Sequence, residues 1–249
     1  MRYLESTSTD PAFNLALEQY AFDTLSHDDG FFMLWRNRDC VVVGLNQNTE
    51  NEINREYLDA NGIMVIRRLS GGGAVFHDLG NLNFTFITRT ADNATGFEVS
   101  MRPVADALTG LGLAVELIGR NDMTLGGMKI SGSAQYLRDG KLMHHGTLLF
   151  DTDLEKMNEA LNVSGEKLAS KGIKSVRARV TNIREHLRED MTMDDFITSM
   201  RNSIAAKMQV YTLNEHDLHA VVAIKRARYD TGEWNYGKSP DDLVKQIRL

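Results

Sequence analysis

Cysteine is almost absent: Cys40 is the one thiol in 249 residues. It has no partner for an internal disulfide, so a disulfide-framed secreted scaffold is excluded, and so is a four-thiolate zinc site. Three prolines leave no room for a proline-rich linker. The longest apolar runs, CVVVG at 40–44 and AVVAI at 220–224, fall far short of the roughly 20 residues that cross a bilayer, so no membrane span is expected. Positive charge is not in excess. Lys and Arg number 28 against 34 Asp and Glu, a formal net charge of −6, which argues against a protein that neutralises a nucleic-acid backbone. The opening MRYLESTSTDPAF lacks the apolar stretch of a secretory signal. These absences predict a cytoplasmic globular protein, large enough to bury a core without staples.

What is present reads as alternating short elements. Asp10-Pro11 is a helix start, followed by Phe13, Leu17, Tyr20, Ala21 and Leu25 at helical spacing. FFMLWR (31–36) and CVVVGL (40–45), separated by Asn37-Arg38-Asp39, read as strand, turn, strand. Residues 54–61 form a short helix closed by Gly62, and GIMVIRR (62–68) has strand density. AVFHD (74–78) and NLNFTFITR (81–89) read as a hairpin about Leu79-Gly80. A helix over 100–111, with Pro103 near its first turn, precedes the strand AVELIG (114–119). Asp139-Gly140 joins 128–138 to 141–150 in a tight hairpin, and helical patterns follow at 153–161, 193–208 and 214–229. A strand-rich front and a helical final third predict one α+β catalytic domain over 1–249, with mixed or antiparallel sheets flanked by helices.

Three segments carry chemistry. In RRLSGGGAVFHDLGN (67–81), consecutive glycines let backbone N–H groups converge beside Arg67 and Arg68, an arrangement suited to phosphate or carboxylate. No Gly-Lys-Ser/Thr follows and AVFHD reads as a strand, so neither a P-loop nor a dinucleotide fingerprint is present. In GRNDMTLGGMKISGSAQ (119–135), Lys129 is a lone ammonium among glycines, placed to meet two anions at once. Asp122 beside Asn121 suits one ligand of a phosphate-bound magnesium ion, or a turn cap. In HHGTLLF (144–150) the adjacent histidines face opposite sides of a strand, so one lines any pocket shared with Lys129 and the other does not.

The ordered strings RRLSGGGAVFHDLGNLNFTF, GRND, MKISGSAQ, HHGTLL and KGIKSVRARVTNI strongly resemble the lipoate-protein ligase family, whose catalytic-domain fold is shared with biotin-protein ligases. The likeness runs from DPAFNLALEQ through LWRN to EWNYG at 233–237. The resemblance implies Lys129 as the catalytic lysine, contacting the lipoate carboxylate and the α-phosphate. It implies nucleotide contacts from Arg68, Gly73, Ala74, Val75 and Phe76, and a lipoyl pocket of Trp35, Arg67, Ser70, Gly72, His77 and His145. A loop over the adenylate falls on Lys171, Gly172, Ser175, Val176 and Arg177; the candidate metal ligand, Asp122, rests on the residue chemistry above, where a turn cap is the alternative.

The implied reaction uses ATP and Mg2+ to turn lipoate into lipoyl-AMP, then transfers the acyl group to a lysine of an apo lipoyl domain. The acceptors implied are the E2 subunit of a 2-oxoacid dehydrogenase or the glycine-cleavage H protein, with neither nucleic acid nor membrane as partner. Longer members continue into a C-terminal accessory domain; here it is expected to be absent, and a separate accessory-domain protein is the implied substitute. Two alternatives stand beside this reading. One is an octanoyl or lipoyl transferase working through a thioester on Cys40, which the flanking valines make an unpromising nucleophile. The other is a partner-dependent subunit that binds lipoyl-AMP.

Overall fold

Asp10 starts the first helix as its side chain dictates, accepting from the Ala12 amide while Pro11 occupies the first turn. The computed structural model describes residues 1–25, 30–89, 96–119, 121–162 and 180–237. Its helices are α1 (Pro11–Tyr20), α2 (Thr49–Glu52), α3 (Arg55–Asn61), α4 (Phe97–Gly110), α5 (Leu154–Ala160), α6 (Met193–Ala205), α7 (Glu215–Ile224) and α8 (Gly232–Tyr236). The strands are β1 (Arg2–Glu5), β2 (Phe31–Trp35), β3 (Cys40–Val43), β4 (Met64–Arg67), β5 (Val75–His77), β6 (Asn81–Arg89), β7 (Val115–Ile118), β8 (Asp122–Leu125), β9 (Met128–Arg138), β10 (Lys141–Leu149) and β11 (Gln209–Tyr211).

The strands form two sheets, in the α+β arrangement expected. The larger is ordered β11-β1-β2-β6-β10-β9-β8-β7, parallel across β11, β1 and β2 and antiparallel from β2 onward. The smaller is β4-β3-β5. One face of the large sheet packs Phe32, Leu34, Phe84 and Phe86 against α4 and α6. Its other face packs Phe31, Met33, Trp35 and Ile87 against α1, α7 and the small sheet. Among the described residues no helix is long and apolar enough to cross a membrane.

Two expected hairpins are corrected. β2 and β3 lie in different sheets, as do β5 and β6; in each case the short connection crosses between layers. β2 is buried at every position, and such a strand pairs on both sides rather than with its chain neighbour. Pro103 sits inside α4, which begins at Phe97. The carbonyl that proline leaves unpaired belongs to Val99, which is exposed and can bond water. The hairpin at Asp139-Gly140 forms as read, with both residues at positive φ (53° and 68°) and β10 in register with β9.

Candidate active site

A cavity opens between the large sheet and the small one, roofed by the glycine loop after β4 and floored by β2, β6, β10 and β9. Its floor is a row of facing residues. Trp35 pairs with Asn83, Asn83 pairs with Thr147, and Thr147 Oγ1 accepts from the Gly132 amide at 3.4 Å. Three inter-strand spacings separate the Trp35 end from the Gly132 end, roughly 14 Å. Lys129 lines the latter end.

The sheet aims Lys129 by an irregularity. Thr124 pairs with Lys129 but Met123 pairs with Ser131, so Ile130 is an extra residue bulged out of β9. The ammonium forms an ion pair with Asp122 at 2.8 Å, half-exposed on both sides. Gly132 leaves it room: a Cβ there would stand 3.0 Å from Lys129 Nζ. A second cavity adjoins the first, lined by Phe76, Ser131, Leu149, Met157 and Asn158, and the two share Ala74, Val75, Lys129, Gly132 and Thr147. Lys129 therefore stands at the wall common to both.

Arg68 builds the roof rather than reaching across the cavity. Its guanidinium donates to Ser70 Oγ, to the Val42 carbonyl, and to the Gly71 and Gly73 carbonyls at 2.6 and 2.8 Å. Burial lowers its pKa to about 10, which still leaves a cation at neutral pH lining the site. Gly72, Gly73, Ala74, Val75, His77 and Trp35 also line it, and Phe76 lines the neighbouring cavity.

Behind the wall runs a buried relay. Trp35 Nε1 donates to Thr85 Oγ1 (3.0 Å), which donates to Glu18 Oε1 (2.7 Å); His145 Nδ1 meets the same oxygen at 2.8 Å. His145 Nε2 bonds Ser70 Oγ at 2.6 Å, and Ser70 accepts from Arg68. Glu18, 2 % exposed, is thus the carboxylate that orients His145 and balances Arg68. The sequence reading omitted it, although Asn14 and Glu18, four apart within the buried stripe of α1, are polar intrusions of the kind that mark a site.

The structure separates the two histidines as expected. His145 lines the cavity; His144 lies on the opposite face, stacked on Phe84 and edge-on to Phe97. Burial pushes the His144 pKa down to about 3. Arg67 is a correction: it does not line the cavity. Its Nη1 donates to the Gly44, Leu45 and Gln47 carbonyls, its Nη2 to Thr49 Oγ1 and its Nε to the Trp234 carbonyl, so it clamps the loop before α2 to α8. Ser70 is fully buried and meets the cavity through His145 and Arg68, both of which line it. Cys40 is fully buried in β3, and burial pushes its thiol pKa up, away from the thiolate a nucleophile needs. The expected covering loop, Lys171, Gly172, Ser175, Val176 and Arg177, lies outside the described residues. Val180, just beyond it, bridges to Lys129, and the Thr181 amide donates to the Lys129 carbonyl at 3.0 Å.

For a metal, Asp122 is the carboxylate at hand. Among the described residues no group of three His, Cys, Asp or Glu side chains could cage an ion. That fits a cation carried chiefly by substrate phosphates and excludes a dedicated protein cage within those residues.

The family model of the lipoyl protein ligase A/B catalytic domain matches residues 10–205. The lipoate-protein ligase LplJ of Bacillus subtilis is 44% identical over 237 residues, covering 93% of this chain and 72% of its own. Among solved structures, a chain of an archaeal lipoylation system, described as a bi-partite lipoate protein ligase and its E2 lipoyl domain from Thermoplasma acidophilum, superposes with a TM-score of 0.80. It is 28% identical, with 95% of this chain and 96% of that one covered. A lipoate-protein ligase A bound with ATP gives 0.82 at 27% identity, covering 95% and 98%.

Proposed function

The chain belongs to the lipoyl protein ligase A/B catalytic-domain family, and from that premise we propose how its two cavities divide one reaction. The protein is a lipoate-protein ligase that uses ATP. Lipoate lies along the cavity floor, its carboxylate at Lys129, its chain over Thr147 and Asn83, and its dithiolane ring against Trp35. ATP occupies the adjoining cavity under Ala74, Val75 and Phe76, with its α-phosphate at Lys129. The observation that carries this reading is the position of Lys129 on the shared wall, a row of roughly 14 Å from Trp35.

A lipoate carboxylate oxygen attacks the α-phosphorus, the bond to the β,γ-phosphates breaks, and pyrophosphate leaves with its electrons. The ε-amine of an acceptor lysine then attacks the carbonyl carbon of lipoyl-AMP, and AMP departs as the amide forms and a proton is released. Lys129 exchanges its ion pair with Asp122 for the two reacting anions and neutralises charge as the anhydride forms. Arg68 supplies a second fixed positive charge from the roof, and the cavity supplies orientation. Mg2+ bound to the nucleotide phosphates and Asp122 would screen the triphosphate charge.

The acceptor is an apo lipoyl domain of an E2 subunit or of an H protein, and the reaction takes place in the cytoplasm, where ATP is supplied. A separate accessory protein assists activation; the likeness to a chain from a system described as having a bi-partite lipoate protein ligase supports this. The test supplies the protein with lipoate, MgATP and an apo lipoyl domain, and separately with preformed lipoyl-AMP. Acyl transfer in both, with a slower activation step that an accessory protein speeds, is expected. No transfer from preformed lipoyl-AMP would overturn the reading.

A further inference from the structure

His77 enters the cavity beside Trp35, ring centroids 6.1 Å apart, and its tautomer is dictated from outside the site. The two protons of Asn14 Nδ2 are shared among the Ser8 and Arg36 carbonyls and Asn37 Oδ1, all at 2.8–2.9 Å. With its oxygen turned to Asn14, the Asn37 amide must present its nitrogen to His77, and Asn37 Nδ2 donates to His77 Nδ1 at 3.2 Å. A neutral imidazole that accepts at Nδ1 carries its proton at Nε2. Burial, reinforced by Arg68 and His145, holds the His77 pKa down at about 3, so the ring is neutral at working pH. Nε2 itself is buried and has no partner among the described residues.

A buried N–H without an acceptor is costly, and this one belongs to β5 of the small sheet, beside Trp35 at the end of the cavity away from Lys129. The acid placed there by the proposed function carries two ring sulfurs at that end, and sulfur accepts weak hydrogen bonds. Resting on that placement, we infer that His77 Nε2–H donates to a dithiolane sulfur and is the group by which the site prefers lipoate to an unsubstituted eight-carbon fatty acid. The saturated acid fills the same channel but leaves the donor unpaired, whereas lipoate satisfies it. Trp35 contributes contact area to both acids and so does not discriminate between them. One weak hydrogen bond is expected to yield a preference of about 3–10-fold.

The experiment measures kcat/KM for acyl-AMP formation from lipoate and from octanoate, in the parent protein, His77→Leu and His77→Gln. The parent is expected to favour lipoate, His77→Leu to lose most of that ratio, and His77→Gln, which keeps an amide N–H near the Nε2 position, to recover it. An unchanged ratio in His77→Leu, or an equal fall for both acids, would overturn the inference, as would a parent without preference. A parent that activates neither acid would instead overturn the ligase reading itself. Nitrogen NMR of the unsubstituted protein provides a check that does not depend on the variants folding. It should show His77 as the Nε2–H tautomer, with that resonance shifted by lipoate and not by octanoate. The Nδ1–H tautomer would overturn the inference.

Discussion

At the scale of single residues, chemistry depends on small clearances. Gly132 stands so close to Lys129 that a methyl group there would displace the ammonium rather than the backbone, because the obstructed atoms are the free end of a flexible side chain. Gly132→Ala is therefore expected to fold normally yet slow lipoyl-AMP formation at least about tenfold, since a displaced donor no longer meets both anions. Equal rates would show that Lys129 has latitude the present account denies it. Cys40 is the opposite case. Buried in β3 and touched by Asn37 Nδ2, it acts as a small apolar residue with a weak acceptor. Cys40→Ser should keep full transfer activity and lose about 1–2 kcal/mol of stability by burying a hydroxyl. An acyl group found on Cys40 by mass spectrometry would favour thioester transfer instead.

At the scale of elements, Arg67 shows how a strand carries a residue past the site it was expected to serve. β4 turns Arg68 to the roof of the cavity and Arg67 to the loop before α2 and to α8, where three loop carbonyls depend on its Nη1. Arg67→Met should lower stability by about 3 kcal/mol or more while leaving the KM for lipoate within a few-fold of the parent. A selective rise in that KM would return Arg67 to the lipoyl pocket. On β10, His144 remains neutral in the fold to about pH 3, whereas in the unfolded chain it takes up a proton near pH 6.5. Between those values the unfolded state binds more protons, so stability falls as pH falls, by up to about 1.4 kcal/mol per unit from this group. Urea titrations at pH 7 and 5 should show a shallower loss for His144→Gln; parallel losses would contradict the burial argument.

The local signals of these elements were legible. Asp139-Gly140 specifies its hairpin because both residues tolerate the positive φ of a tight reversal, and Asp10-Pro11 specifies a helix start. The pairings of β2 with β6 and β3 with β5 were not legible, because an uninterrupted apolar strand gives no alternation from which to choose a face or a neighbour. Glu18 was missed for a related reason: its partners Thr85 and His145 lie 67 and 127 residues away, and no local pattern links them.

At the scale of the whole molecule, two sheets and a bulge bring two cavities to one lysine, and the account stands on that convergence. Lys129 lines the first cavity from the floor, borders the second, and is tied through its own backbone to Val180 and Thr181, beyond the expected covering segment. The order of motifs in the sequence indicated the reaction; the proposed places of the two anions rest on the convergence of both cavities at Lys129. The most direct measurement is the rate of lipoyl-AMP formation from lipoate and MgATP by Lys129→Ala beside the parent, with circular dichroism to establish that the variant folds. The expected result is a loss of roughly 10²–10³-fold or more with the fold intact. A folded Lys129→Ala protein that forms the adenylate within a few-fold of the parent rate would contradict it.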